Sequence, residues 1–368
     1  MKIGILTLPL HTNYGGILQA YALQTVLERM GHEVEFIDGR KYKRAGLKTK
    51  IKECAAHILY SIGMCNLLKY VHAEYYAVNL YTNAFIEQHI HVHRYPTICS
   101  VKESSFDAII VGSDQVWRPI YFGNSRIENA YLYFTKGWQI KRIAYAVSFG
   151  VDQWEMDVEK IKQCKEAISW FDAVSVREES GVALCKHYLQ KDAQWVLDPT
   201  MLLTATDYNK ILFHSVSLSS SYLFTYIIDS DKRKEDIVSA LSTNLCLSIL
   251  VSNSHAEDTT GGSCSIRERI QPPLESWLNG IMNASFVVTD SFHACVFSII
   301  FNKPFYVIGN PNRGMARFES LLSMFGLRDR LISCRQDIDF QSSIDYEKVN
   351  HLLSELKQKS LNFLYANL

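Results

Sequence analysis

The chain has 368 residues, and its 38 lysine and arginine residues balance 38 aspartate and glutamate residues. This balance excludes the overall positive charge typical of nucleic-acid-binding proteins, so we expect no nucleic-acid partner. The length predicts two domains. The nine cysteines lack the spacing of a metal site or a redox pair, so we expect no bound metal. Together with the absence of an apolar run of roughly 18 residues, they favour a cytoplasmic protein.

The first predicted elements form a βαβ unit. Lys2–Leu8 is a predicted strand, Ile17–Met30 a helix with apolar residues at helical spacing, and Val34–Ile37 a second strand. This order requires a parallel sheet with helices on its faces. The loop Asn13-Tyr14-Gly15-Gly16 then lies at the carboxyl end of the first strand, where open α/β sheets bind ligands.

A basic stretch follows the second strand. Seven of the thirteen residues from Arg40 to Lys52 are lysine or arginine, and none is acidic. One interpretation is a solvated helix face. The other is a patch that contacts a membrane surface or a diphosphate-bearing lipid, which would place the protein at the inner face of the membrane. We expect residues 41–100 to form a helical insertion.

Two later strands end in polar side chains. The apolar run that ends at Val111 leads to Gly112-Ser113-Asp114, and another leads to Arg177. Asp114 has two interpretations, because it either orients or deprotonates a hydroxyl group or forms an Asx turn. Arg177 either binds a carboxylate or phosphate in bidentate fashion or pairs with a neighbouring acid. Asp198-Pro199 stops a further strand, and we assign it a structural role.

A second set of alternating strands and helices begins after about residue 211. Its most informative stretch is Thr289–Val296, which follows the apolar run Phe286–Val288 and leads into an apolar helix. Ser291 is a good N-cap, so His293 lies in the first turn, beside free backbone N–H groups and the positive end of the helix dipole. This is a suitable anion site, and a partly buried structural histidine is the alternative.

The pattern predicts an α/β protein with two Rossmann-like, doubly wound domains that face a cleft. We place the N-terminal domain at residues 1–210, and the C-terminal domain, which ends in a long helix, at residues 211–368. Polar groups at strand ends meet at the rim of such sheets. The cleft can therefore hold Asn13, Asp114, Arg177 and His293, a set that suits a small anionic substrate and acid–base chemistry.

Five short motifs, spread over nearly the whole chain, stand in an order and spacing typical of one family. They are Asn13-Tyr14-Gly15-Gly16, Val111-Gly112-Ser113-Asp114-Gln115-Val116-Trp117, Ser175-Val176-Arg177-Glu178, Leu197-Asp198-Pro199-Thr200 and Asp290-Ser291-Phe292-His293-Ala294. Together they resemble the polysaccharide pyruvyl transferase family. The resemblance implies a fold similar to the B-type glycosyltransferases, with the acceptor on the N-terminal side and the donor on the C-terminal side. It also implies transfer of the enolpyruvyl group of phosphoenolpyruvate onto two hydroxyls of one sugar, which gives a pyruvate ketal and phosphate.

The resemblance also implies roles for individual residues. The family's histidine corresponds to His293 and its strand-end arginine to Arg177. We expect catalysis by His293 and Asp114, and donor binding by Arg177, Ser291, Asn13, Gly15, Gly16 and Arg267, with phosphoenolpyruvate as a co-substrate and no other cofactor. Relatives often carry Arg-Leu-His where this chain has Ser291-Phe292-His293, so one anion-binding arginine is missing. The candidates to replace it are Arg267, Arg313 and Arg317.

Two other functions fit the same architecture. One is a glycosyltransferase that uses a nucleotide-sugar donor. The other is a non-catalytic glycan-binding or assembly protein, which the missing arginine favours and the presence of both His293 and Arg177 opposes. The resemblance implies a sugar or a lipid-linked oligosaccharide as the acceptor.

Overall fold

Two parallel β-sheets form the framework of the protein. The computed structural model describes residues 1–39, 78–212, 221–252, 269–310 and 314–368. The basic stretch Arg40–Lys52, most of the predicted insertion, Arg267 and Arg313 lie outside the described residues. The prediction of an α/β protein with two Rossmann-like sheets is confirmed.

The first sheet has seven strands among the described residues. They are β1 (Lys2–Leu6), β2 (Glu33–Asp38), β3 (Val92–Arg94), β4 (Ala108–Val111), β5 (Lys141–Val147), β6 (Ala173–Val176) and β7 (Gln194–Trp195). All pair in parallel, in the order β3-β2-β1-β4-β5-β6-β7. The strand β4 is buried along its whole length, as expected for apolar strands that helices cover on both faces.

The second sheet has five strands in the described part of the chain. They are β8 (Tyr222–Tyr226), β9 (Ser248–Val251), β10 (Phe286–Thr289), β11 (Phe305–Ile308) and β12 (Leu331–Ile332), in the parallel order β12-β11-β10-β8-β9. We call the part of the chain built on the first sheet the N-terminal lobe and the part built on the second sheet the C-terminal lobe. The strand β3, which pairs with β2, lies within residues predicted to form a helical insertion. The sequence did not reveal it, because three residues are too few for a periodic signal.

Eleven α-helices occur among the described residues. They are α1 (Tyr14–Arg29), α2 (Leu80–His89), α3 (Pro119–Phe122), α4 (Val158–Ser169), α5 (Glu179–Leu184), α6 (Ala205–Ile211), α7 (Lys232–Leu245), α8 (Leu274–Asn283), α9 (Phe292–Ile300), α10 (Ala316–Phe325) and α11 (Tyr346–Asn367). None of the helices in the described part of the chain is both long and apolar enough to cross a membrane.

The helix α1 begins earlier than the sequence predicts. We expected residues 13–16 to form a loop, whereas Tyr14 already begins the helix. Asn13 is the N-cap, and its side-chain oxygen accepts a hydrogen bond from the backbone N–H of Gly16 at 3.2 Å. Most of α1 is buried, because it packs both on the first sheet and against α9 of the C-terminal lobe.

The last helix, α11, returns to the N-terminal lobe. Its Ser360 hydroxyl accepts a hydrogen bond from the backbone N–H of Leu197 at 3.0 Å, and the Phe363 ring lies 6.1 Å from that of Tyr145 on β5. The two lobes also share one continuous apolar core, which includes Leu23 of α1 and Val296 of α9. The carboxyl ends of the two sheets are therefore held close together.

Candidate active site

The site lies where the strand order of the first sheet reverses. The chain proceeds from β1 to β2 and β3 on one side and then returns to β4 on the other, so a crevice opens between the carboxyl ends of β1 and β4. Asn13 and Asp114 follow these two strands, and Asn13 Nδ2 donates to Asp114 Oδ2 at 3.3 Å. Asp114 has φ of 71°, a left-handed conformation that is uncommon for a residue with a side chain and recurs at functional sites.

Arg177 lies at the centre of the site, next to three carboxylates. Its Nη1 donates to Asp198 Oδ2 at 2.6 Å, and its Nη2 lies 3.6 Å from Asp114 Oδ1. The nearest Glu178 oxygen is 4.0 Å from Arg177 Nε. Both Nε and Nη2 are buried and have no hydrogen-bond partner among the described residues. Since these two groups form one edge of the guanidinium plane, Arg177 presents a buried bidentate donor for an anion.

Asp198 joins Arg177 to His293. Its Oδ1 accepts hydrogen bonds from the backbone N–H and the hydroxyl of Thr200, at 3.0 and 2.6 Å, which is the structural role that the sequence predicted. Its Oδ2 accepts from Arg177 and from the Ser113 hydroxyl, and it lies 3.7 Å from His293 Nε2. Asp198 therefore has the structural role that the sequence predicted and, in addition, contacts two of the predicted site residues, which the sequence did not indicate.

His293 reaches across from the C-terminal lobe to the start of α1. A Cβ atom built on Gly15 would lie 1.8 Å from His293 Nδ1, so only glycine permits the imidazole to approach this closely. The Nε2 atom of His293 is buried without a hydrogen-bond partner in the described part of the chain. Gly15 and His293 lie in the first turns of α1 and α9, so the positive ends of both helix dipoles meet beside the imidazole. Neither first turn contains an acidic residue.

The buried charges shift one another's protonation. Burial acts to raise the pKa of the Asp198 carboxyl, but contact with His293 and the charge of Arg177 outweigh it and hold that pKa well below its usual range. Burial alone would lower the pKa of the Arg177 guanidinium, and the carboxylates of Asp198, Glu178 and Asp114 raise it instead. Glu178 is fully buried, and burial raises the pKa of its carboxyl.

An aromatic ring and a second arginine complete the cluster. The Arg177 guanidinium carbon lies 4.4 Å from the centre of the Phe292 ring, and the guanidinium carbon of Arg317 on α10 lies 5.5 Å from the same centre. Both arginines are buried. Burial, followed by the nearby charge of Arg177, lowers the pKa of Arg317 to about 10.

The structure thus joins five of the predicted residues in one ring of contacts. Each residue contacts the next in the order Asn13, Asp114, Arg177, Asp198, His293 and Gly15. The ring closes because Gly15 lies two residues after Asn13 in the chain. Gly16 lies beside it, since a Cβ there would stand 3.5 Å from Asp114 Oδ2. The hydroxyl of Ser291 faces its own helix, where it accepts from the Ala294 backbone N–H at 3.5 Å as the N-cap of α9. Asp198 and Phe292 also contact these residues, which the sequence did not indicate, although both lie in the motifs.

Asp290 has a structural role beside the site. Its Oδ2 pairs with the buried Lys234 ammonium at 2.8 Å, and its carboxylate accepts backbone N–H groups of Ile228 and Asp229. No group of three or more histidine, cysteine, aspartate or glutamate side chains within the described ranges is arranged to hold a metal ion.

Comparison with known proteins identifies the family. The family model for polysaccharide pyruvyl transferase matches residues 13–312, and the chain belongs to this family. No curated protein matches the chain. Among solved structures, the glycotransferase of kitacinnamycin is similar with a TM-score of 0.48 and 11% identity, over 100% of this chain and 99% of that chain. The S. aureus MnaA–UDP co-structure has a TM-score of 0.48 and 13% identity, over 100% of this chain and 97% of that chain. A glycosyltransferase from Rickettsia africae has a TM-score of 0.46 and 12% identity, over 100% and 93%.

Proposed function

We propose that this protein transfers the enolpyruvyl group of phosphoenolpyruvate onto two hydroxyls of one sugar in a polysaccharide or its precursor. The products would be a cyclic pyruvate ketal and inorganic phosphate. One observation carries the proposal: His293 and Arg177, from different lobes, approach the same oxygen of Asp198, and each has buried N–H or ring nitrogen groups that no described residue engages. Membership of the pyruvyl transferase family supports it.

Phosphoenolpyruvate has a carboxylate and a phosphate, so its site must supply several positive groups or N–H donors. The Nε and Nη2 edge of Arg177 is such a donor, since the carboxylates of Asp114 and Glu178 lie beyond hydrogen-bonding distance of it. The N-terminus of α9 supplies backbone N–H groups next to His293, and α1 supplies its own beside Gly15. The donor-binding residues we propose are Arg177, with Asn13, Gly15, Gly16 and Ser291 at the two helix starts; Arg267, which the resemblance also suggests for donor binding, lies outside the described residues.

His293 is the acid–base group of this mechanism. A proton is added to C3 of the donor while a sugar oxygen bonds to C2 and loses its own proton. The C2–O bond to phosphate then breaks, and the second hydroxyl bonds to C2 and loses its proton. Two hydroxyl protons are released in total, of which C3 takes one and the departing phosphate takes the other. His293 serves the proton transfers, Asp114 aligns or deprotonates a sugar hydroxyl, and Arg177 stabilises the charge on the leaving phosphate.

Access to the site requires the lobes to separate. Asp114, Arg177, Asp198 and His293 are each less than a tenth exposed, so the donor cannot reach them in the closed arrangement. We propose that the donor enters an open form and that closure then excludes water. We also propose that the reaction needs no metal or other cofactor and that it takes place in the cytoplasm, on a free or lipid-linked saccharide.

A phosphate-release assay tests the proposal. Purified protein is incubated with phosphoenolpyruvate and a panel of saccharide acceptors, with and without EDTA, and thermal melting is followed with phosphoenolpyruvate or with nucleotide sugars. His293→Ala should reduce turnover by about 10²–10⁴-fold. The matched control is His351→Ala, at a histidine whose side chain is 74% exposed on α11, and it should leave turnover unchanged. Stabilisation by nucleotide sugars without any response to phosphoenolpyruvate, or an active His293→Ala variant, would refute the assignment.

A further inference from the structure

We propose that Arg317 is the second cation of the donor site, so that two arginines from opposite lobes hold the two anionic groups of the donor. This inference rests on the proposed function and adds a binding residue that lies outside the motif around His293. In that motif Ser291 caps α9 with its hydroxyl group, and it contributes no positive charge. A second positive charge for the carboxylate and phosphate of the donor would therefore come from another element.

The position of Arg317 is the first support. Its guanidinium carbon and that of Arg177 lie 5.5 and 4.4 Å from the centre of one ring, that of Phe292. Phe292 directly precedes His293, so both guanidinium groups lie beside the first turn of α9. We infer that a small molecule bound at the Nε and Nη2 edge of Arg177 also contacts Arg317.

The electrostatics are the second support. Arg317 is 7% exposed, and burial together with the charge of Arg177 lowers its pKa to about 10. A base whose pKa falls on folding is penalised for its charge in the folded state, so burial disfavours the charged form of Arg317. An anion bound between the two arginines removes this penalty. Strongly shifted pKa values of buried groups occur frequently at binding and catalytic sites.

The contacts of α10 with the N-terminal lobe are the third support. Arg317 is the second residue of α10, and Ser320 on the same helix accepts a hydrogen bond from the backbone N–H of Glu179 at 3.1 Å. The loop before α10 meets the same lobe, since a Cβ on Gly314 would lie 1.8 Å from the carbonyl oxygen of Gly150. Arg317 therefore moves with the closing lobe, and a donor that engages it and Arg177 favours closure.

Arg330 provides a matched control for Arg317. It is a buried arginine of the same lobe whose guanidinium carbon lies 5.3 Å from the centre of the Tyr306 ring, and it pairs with Asp329 at 2.7 Å. It lies in the short turn before β12 and has none of the site residues as a partner in these contacts. Replacing it therefore tests the loss of a buried, ring-packed arginine without a change in the site.

The experiment compares Arg317→Gln with Arg330→Gln by melting temperature and by KM for phosphoenolpyruvate. Arg317→Gln should melt closer to the unmodified protein than Arg330→Gln does in the absence of ligand. It should raise KM by about tenfold or more, the loss of one charge-assisted hydrogen bond, and should lose most of the stabilisation by phosphoenolpyruvate or inorganic phosphate. Arg330→Gln should melt lower and keep its KM. Arg317→Lys, which retains the charge without the fork, should have an intermediate KM.

The outcomes separate this inference from the proposed function. If Arg177→Gln loses donor binding while Arg317→Gln and Arg317→Lys keep the original KM, Arg317 is not a donor residue and the proposed function stands. A lower melting temperature for Arg317→Gln with an unchanged KM assigns it a structural role and also overturns the inference. If the unmodified protein responds to neither phosphoenolpyruvate nor inorganic phosphate, both proposals are wrong.

Discussion

Replacing Asp198 with asparagine tests the centre of the site most directly. The substitution keeps the size of the side chain and removes its charge. An asparagine has one acceptor oxygen, whereas Asp198 accepts from Thr200 on one side and from Arg177 and Ser113 on the other. In either orientation the new amide group therefore faces a donor, and one side of the network is broken.

The expected magnitude follows from burial. Arg177 has only 2% of its side chain exposed, and removing one partner of a buried ion pair costs about 3–5 kcal/mol. Asp114 and Glu178 remain nearby, so we expect about 3 kcal/mol for Asp198→Asn. This is a large part of the about 5–15 kcal/mol that stabilises a folded protein, but it leaves the variant folded. Turnover should fall by about 100-fold, because Arg177 and His293 lose the carboxylate oxygen that both approach and that positions them relative to each other.

The effect on stability should depend on pH. The pKa of the Asp198 carboxyl is depressed in the folded protein, where contact with His293 and the Arg177 charge outweigh the opposing effect of burial. Its stabilisation is therefore fully present above the ordinary aspartate pKa of about 3.9 and is lost as the pH falls below it. The difference in free energy of unfolding between the two proteins should be constant from pH 7 to about 5 and should shrink in stronger acid.

Urea unfolding followed by circular dichroism measures the change, and phosphate release measures turnover. With a urea m-value of about 3 kcal/mol per M, the midpoint should fall by about 1 M. Thr200→Val is the control, since it removes the hydroxyl bond to Oδ1 and leaves the charge and the Oδ2 contacts. It should cost about 1 kcal/mol and preserve turnover. An Asp198→Asn protein with an unchanged midpoint and full turnover would refute the reasoning.

Two further predictions concern the contact between the lobes and the basic stretch. Gly15→Ala should reduce turnover by about 100-fold, because its Cβ would collide with the His293 imidazole. Gly31→Ala, at a position where a Cβ would meet no described atom within 4 Å, should lower stability by about 1 kcal/mol and leave turnover intact. Equal turnover in both variants would contradict the proposed contact. Exchanging the lysines and arginines from Arg40 to Lys52 for glutamine should weaken binding to anionic vesicles in a co-sedimentation assay; unchanged binding would leave the stretch a solvated surface.

The sequence by itself determined the fold class and the strand ends that carry polar residues. Alternating apolar strands and helices can be satisfied only by parallel sheets with helices on their faces, so the local pattern was sufficient. It also placed Asp114, Arg177 and His293 at strand ends or in a first helical turn, because caps and strand stops have local signals. The short strand β3 escaped detection, and the first turn of α1 was misjudged because two glycines there indicate a loop.

Only the tertiary structure decided how these residues meet. Asp198 is typical of a strand stop in sequence, and its second oxygen became part of the site because β7 ends beside β6 and opposite α9. Arg317 was one of three candidates for a second cation, and its proposed role depends on how α10 packs against the N-terminal lobe. Distances between groups more than a hundred residues apart are fixed by the packing of two lobes on a shared core, and a local sequence pattern contains no information about them.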